Sequence, residues 1–216
     1  MPDRSSRPNP RPGSEEGSEP EKRRAILHAA VHVFAAKGYH GCRIADVARK
    51  AGVAYGLVYH YFRNKDELLE SVFAEQWTIL LNALEAIRSG PGTGLEQLAS
   101  VCRFVLDVFR TAPDAVRVLI LEVARAPDSL RVGSTRRTFE AALRLVSEMV
   151  RRGQAAGEIR RELDPMVAAA SLLGAVELVL TGLVLGSLGG PSPTEPEIER
   201  LERQVVATVL GGLGTH

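Results

Sequence analysis

The 216-residue chain is 45% hydrophobic with a formal net charge of +1, which excludes an intrinsically disordered protein and suits one or two soluble domains with a sizeable core. Its two cysteines, Cys42 and Cys102, lie too far apart in sequence to suggest a disulfide framework. A reducing cytoplasm and inert thiols are therefore expected.

Residues 1–20 are polar and rich in proline, with no apolar segment of the kind a secretory signal needs, and are expected to form a disordered tail. From Glu21 to Lys37, Ile26, Leu27, Ala30, Val31 and Phe34 recur at helical spacing, and Gly38 is placed to end the run. Two short helices are predicted at 44–51 and 55–62. Asn64 and Glu67 form a capping-box pattern that opens a long helix to about Ser89. After the break "SGPGTG", helices are predicted at 95–111, 113–126, 134–156, 165–188 and 194–211, punctuated by proline and glycine. The fold class is all-α. A three-helix module (21–66) is expected to precede a helical body (67–216), with the helix 66–89 connecting the two.

Charge is distributed unevenly between these parts. Residues 21–70 hold nine Lys or Arg against five Asp or Glu, and the remainder is slightly acidic. That is the electrostatic outline of a nucleic-acid reader. The segment 165–188 holds one charge, Glu177, and is long enough to span a membrane. The central carboxylate, six alanines or glycines between 168 and 182 and the absence of flanking basic residues argue instead for a buried or subunit-facing helix.

The stretch 44–62 satisfies the steric needs of a helix-turn-helix. Ala48 is the small residue at the crossing, Gly52 supplies the turn, and Ile44, Val47, Ala51, Val53, Val58 and Tyr61 face inward. Winding the second helix at about 100° per residue sorts its rings. Val58, Tyr61 and Phe62 share the inward arc, while Tyr55, Gly56, Tyr59 and His60 lie outward, with Leu57 at the border. Two phenols, an imidazole and a bare backbone suit a major-groove floor. Lys65 stands at the next helix N-terminus, where a phosphate is favoured.

The stretch Arg24 to Leu69, with its "KGY", "IADVARKAGV", "VYHYF" and "NKDELL", resembles the N-terminal domain of the TetR family of bacterial transcriptional regulators. The resemblance implies a homodimeric repressor with a variable C-terminal domain that binds a small, apolar or amphipathic effector and leaves a pseudo-palindromic double-stranded operator. It implies DNA contacts at Arg43, Ala54, Tyr55, Gly56, Leu57, Tyr59, His60 and Lys65. Where the family commonly has Thr or Ser before the first of these helices, this chain has Cys42 and Arg43. Where the family has "SKGT", this chain has "AYGL", which makes the surface more aromatic and less cationic.

The helical body offers Trp77, Phe104, Phe109 and Phe139 as pocket rings. Glu177 is left open between a pocket carboxylate, a buried pair with Arg144 or Arg151, and the surface. Small residues at 170, 174, 182 and 186 suggest a four-helix dimer seam built from 134–156 and 165–188. His28 and His32, although four apart, lack further ligands and read as a solvated face, so no metal is expected. No cofactor or catalytic motif is present either, and the reading as an enzyme or as a helical adaptor stands as the alternative.

Overall fold

The computed structural model describes residues 18–122, 134–190 and 193–214. Among them run nine helices: α1 (Glu19–Gly41), α2 (Ile44–Ala51), α3 (Tyr55–Tyr61), α4 (Lys65–Ser89), α5 (Gly94–Thr111), α6 (Pro113–Glu122), α7 (Ser134–Ala155), α8 (Pro165–Val184) and α9 (Glu195–Gly211). The end of the helix expected at 113–126 lies outside the described residues. The only extended pairing among them is an isolated bridge between Ile159 and Gly214, which pins the chain's end to the α7–α8 connection.

Helix boundaries follow local chemistry. Gly38 breaks α1 at φ 67°, and Gly52 ends α2 at φ 68°, a conformation open to glycine without a Cβ penalty. The Asn64 side chain accepts the Glu67 amide at 2.8 Å, a cap worth about 1 kcal/mol. The reciprocal bond differs from the capping-box expectation. Glu67 takes the backbone N–H and Nε of Arg63 instead, at 2.8 and 2.9 Å, one residue further upstream. Helix α8 stops at Val184 rather than 188. Gly186 turns at φ 72°, and the Ser187 and Leu188 amides fold back onto the Gly182 carbonyl at 2.8 and 3.1 Å.

The buried side chains form two cores. The first joins Ile26, Leu27, Ala30 and Phe34 of α1, Val47 of α2, Val58 of α3 and Leu68, Leu69, Val72 and Phe73 of α4. Ala115 and Val118 of α6 complete it, a contribution from the body that helical periodicity does not reveal. The second joins Leu84 of α4, Leu98 and Leu106 of α5, Val116 of α6, Val146 and Met149 of α7, Leu172 and Val176 of α8 and Val205 of α9. Helices α4 and α6 therefore each hold residues in both cores. A displacement in one cannot leave the other untouched, because close-packed interiors transmit strain.

By length and composition α8 could cross a membrane, yet only 33% of its most apolar window is buried. Its uncovered residues are Met166, Val167, Ala170, Ser171, Gly174, Glu177 and Leu178, with Leu185 exposed just past its end. Of the four small residues expected at a helix seam, Ala170 and Gly174 lie on this open face. Gly182 instead makes room for Leu188, whose side chain would sit 2.7 Å from an added Cβ. Gly186 serves the turn.

Candidate nucleic-acid interface

The α2–α3 pair is assembled as its steric pattern requires. Ile44, Val47, Ala48, Val58 and Phe62 are buried, with Ala51, Val53 and Tyr61 packed against them. The opposite face of α3 is open: Tyr55 is 53% and Tyr59 44% exposed, Ala54, Gly56 and His60 are exposed beside them, and Leu57 is half-covered. The rings of Tyr55 and Tyr59 meet edge to face with centroids 5.2 Å apart. Tyr55 Oη donates to Tyr59 Oη at 3.3 Å, and this shared bond, foremost, pushes the Tyr59 hydroxyl's pKa up. Gly56, like Gly174 and Gly211, has no packing reason to be glycine. An added Cβ there would meet nothing within 4 Å, and its φ is not positive. Glycine inside a helix costs about 1 kcal/mol relative to alanine, and nothing within the fold requires it.

The C-terminal end of α3 is tethered to α1. Tyr61 Oη donates to the Glu19 carbonyl at 3.2 Å, His60 Nε2 lies 3.6 Å from Glu19 Oε1, and the Arg23 guanidinium covers the Phe62 ring at 5.2 Å. Ala54 occupies the N-cap of α3 without any side-chain cap. Arg43, the N-cap of α2, is exposed, and its amide donates to Asp46 Oδ2 at 3.4 Å. Lys37 Nζ, 2.8 Å from Asp46, holds that carboxyl below the ordinary carboxylate range, with the Arg43 amide helping.

Lys65 is placed differently from a free phosphate ligand. Its ammonium donates to the carbonyls of Tyr39 at 2.7 Å and Cys42 at 3.1 Å and sits 4.3 Å from the centroid of the Tyr39 ring. Tyr39 stacks on Phe34 with centroids 6.2 Å apart. It also donates its hydroxyl to Asp66 Oδ1. Tyr39, Lys65 and Asp66 thus lock the α1–α2 joint onto the start of α4, a constellation spread over 27 positions that helical periodicity does not reveal. Two of the three ammonium protons are used this way, and one remains for an outside acceptor.

The suggested pocket rings are not gathered in one place. Trp77 packs against the first core, with its indole Nε1 buried and no hydrogen-bond partner among the described residues. Phe109 packs against the second core, and Phe104 is half-buried. Phe139 is 46% exposed. Glu177 is exposed in the open stripe of α8 and makes no ion pair with Arg144 or Arg151. In the single chain it stands on the surface, one helical turn from Gly174 and beside Leu178 on the uncovered side.

The histidines of α1 also differ from expectation. His28 is exposed, but His32 is half-buried and its Nδ1 lies 2.5 Å from Asp114 Oδ2 on α6. No cluster of three or more metal-ligating side chains occurs among the described residues. Both cysteines are buried, and desolvation pushes each thiol up to about 11.

Comparison with known proteins agrees with this geometry. Residues 26–72 match the family described as bacterial regulatory proteins, tetR family, and residues 95–209 match the tetracyclin repressor-like C-terminal domain. The chain is 29% identical over 160 residues to the fatty acid metabolism regulator protein of Bacillus subtilis, covering 74% of this chain and 82% of that one. It is 35% identical over 107 residues to the transcriptional regulator RutR of Escherichia coli, about half of each chain. Among solved structures, FadR of Bacillus subtilis in complex with stearoyl-CoA superposes with a TM-score of 0.76 at 26% identity, covering 89% of this chain and 99% of that one. FadR of Bacillus halodurans superposes with a TM-score of 0.79 at 25% identity, covering 92% and 98%. With a helix-turn-helix whose outward face is free and a helical body behind it, the chain belongs to the TetR family and is a DNA-binding transcriptional regulator.

Proposed function

We propose that this chain is a cytoplasmic, homodimeric repressor that holds a pseudo-palindromic operator and is released from it by an acyl-CoA thioester. The open face of α3 carries the DNA half of this reading, because Tyr55, Gly56, Tyr59 and His60 project from a helix whose other side is fixed in the core. Arg43, Ala54 and Leu57 flank that face, and the remaining proton of Lys65 is available to a phosphate. Two such helices, related by a two-fold axis, would occupy successive major grooves. The uncovered stripe of α8, together with α7, supplies the self-complementary surface.

The effector class rests on the likeness to the Bacillus subtilis FadR, solved with stearoyl-CoA, and on the second core's chemistry. Gln97 and Ser147 are the buried polar residues among those described, so an alkyl chain fits that interior and a charged ligand group would have to stay near the surface. Trp77, with its unpartnered donor, is placed on the helix that must move. Residues 21–66 act as the DNA-binding domain and 67–216 as the effector and dimerisation domain, with α4 joining them and α6 as a second link. The protein acts by binding rather than catalysis.

The test is operator binding by the full-length protein, using duplex selected from random sequence. Stearoyl-CoA should weaken binding by about 5- to 150-fold, the usual range of ligand coupling, while CoA alone should not. Selected binding that no acyl-CoA changes would overturn the effector assignment and leave the DNA reading standing.

A further inference from the structure

We infer that Tyr55 and Tyr59 act as one unit that selects adenine over guanine at one position of each operator half-site. The inference rests on the reading of this chain as a sequence-specific DNA binder, and it names what one part of the interface recognises.

The two hydroxyls lie 3.3 Å apart at the tip of the exposed face. Each has one proton, and one of the two is spent inside the pair. Hydroxyl rotors can exchange roles, but in either arrangement the pair offers one outward donor and one outward acceptor. That is the pattern of an asparagine or glutamine amide, the side chains that bind adenine through N6 and N7. Adenine's major-groove edge presents an acceptor beside a donor; guanine's presents two acceptors. To bind both of these, guanine would need both protons turned outward, leaving two phenol oxygens facing each other with no proton between them. The 3.3 Å separation is long for a hydroxyl pair, so the discrimination is moderate.

The second observation is Gly56. It shares the exposed face with the two tyrosines and has no internal reason to lack a side chain. A bare backbone beside the phenols lets the helix approach the base edges closely enough for short hydroxyls on rigid rings to reach them. Ring packing at 5.2 Å fixes the pair in place before binding, so little side-chain entropy is lost on contact.

The test uses the full-length protein and its Tyr55→Phe and Tyr59→Phe variants, each carried through selection from random duplex DNA. Both changes keep the exposed rings, and unchanged melting temperatures establish that the fold is retained. The wild-type half-site should contain one position where adenine is preferred to guanine by about ten-fold, the scale of one good bidentate contact. Either substitution should remove that preference at that position alone, and the double variant should do no more than either single one. Identical half-sites from all three proteins, or a lost preference for guanine, would overturn the inference. A wild-type protein that enriches no sequence would overturn the DNA reading itself and this inference with it.

Discussion

His32 of α1 and Asp114 of α6 meet across the two cores, Nδ1 to Oδ2 at 2.5 Å, from positions 82 residues apart. Beneath this pair Ala115 and Val118 of α6 are packed into the core that supports the recognition helix, while Val116 belongs to the core of the helical body. Helix α6 is thus clamped to α1 by both packing and a side-chain hydrogen bond. The partly exposed setting of the pair limits its contribution to stability. Its place makes it a register contact between the two domains. Asp114→Asn should leave the melting temperature within a few degrees and the affinity for the proposed acyl-CoA effector unchanged. The ratio of operator affinities without and with that ligand should fall by about three-fold, a modest share of a typical coupling. Fluorescence anisotropy with and without saturating ligand measures this ratio. An unchanged ratio would assign transmission to α4 alone.

Gly56→Ala separates folding from recognition. An added methyl meets no atom of this chain, and alanine is favoured over glycine inside a helix by about 1 kcal/mol. The variant should therefore melt a few degrees higher, yet bind the selected operator at least about ten-fold more weakly if the backbone there abuts the base edges. Thermal denaturation and a binding titration on the same preparation test both halves. A more stable variant with full affinity would show that the face of α3 does not come close to DNA at this point.

The local parts of this structure were legible in the sequence, and the reason is geometric. Helical periodicity reports which side of a segment is apolar, so the burial of Val58 and Phe62 and the exposure of Tyr55, Tyr59 and His60 follow from spacing alone. Gly52 was legible because few other residues tolerate its φ of 68°. Periodicity does not report which helix an apolar face will meet. Hence α6 in the first core, and the pairing of His32 with Asp114, were not visible. Ring content likewise gave no guide to a pocket, since Trp77 packs with the first core while Phe139 lies open. Glu177 shows the same limit. Its single charge in an apolar run looked like a burial problem, but the outer stripe of α8 leaves it exposed. Lys65 was found at its expected position, the first residue of α4, while the direction of its side chain depends on carbonyls 23 and 26 residues upstream.

Lys65→Met tests whether that ammonium serves the fold, the operator or both. The substitution keeps an apolar stem of similar length and removes the donors to the Tyr39 and Cys42 carbonyls. Hydrogen bonds to a charged group contribute about 1.5–3 kcal/mol, discounted here because the site is only half-buried. The domain should therefore melt several degrees lower. If the remaining proton also meets a phosphate, the slope of log affinity against log salt should fall in magnitude by about 1.8, about 0.9 for each subunit of the dimer, with equal weakening on specific and scrambled duplex. A lower melting temperature with an unaltered salt slope would make Lys65 a positioning residue only.

The crossing of α5 and α7 rests on two glycines and sets the shape of the effector domain. Gly94 begins α5 directly against Gly153 of α7, and an added Cβ would lie 2.6 Å from both the Gly153 Cα and the Met149 carbonyl oxygen. These are backbone atoms, which cannot rotate away as a side-chain tip could. Gly153 in turn makes room for Ile159, whose Cδ1 would be 2.6 Å from a Cβ at that position. The Gln97 amide, one turn into α5, donates to the Arg88 and Gly90 carbonyls at 3.1 and 3.2 Å and so ties this crossing to the end of α4. Gly94→Ala must therefore push α5 and α7 apart and disturb α4 with them. Overpacking of this kind costs about 1–3 kcal/mol or more. Chemical denaturation should show the loss, and the proposed acyl-CoA effector should lose affinity along with it, since the crossing borders the second core. By contrast Gly174→Ala, on the open face of α8 with nothing within 4 Å, should leave the stability of a single chain intact and weaken self-association. Sedimentation of the two variants at matched concentrations distinguishes these outcomes, and a Gly94→Ala protein with wild-type stability would show that the α5–α7 crossing is looser than its backbone contacts imply.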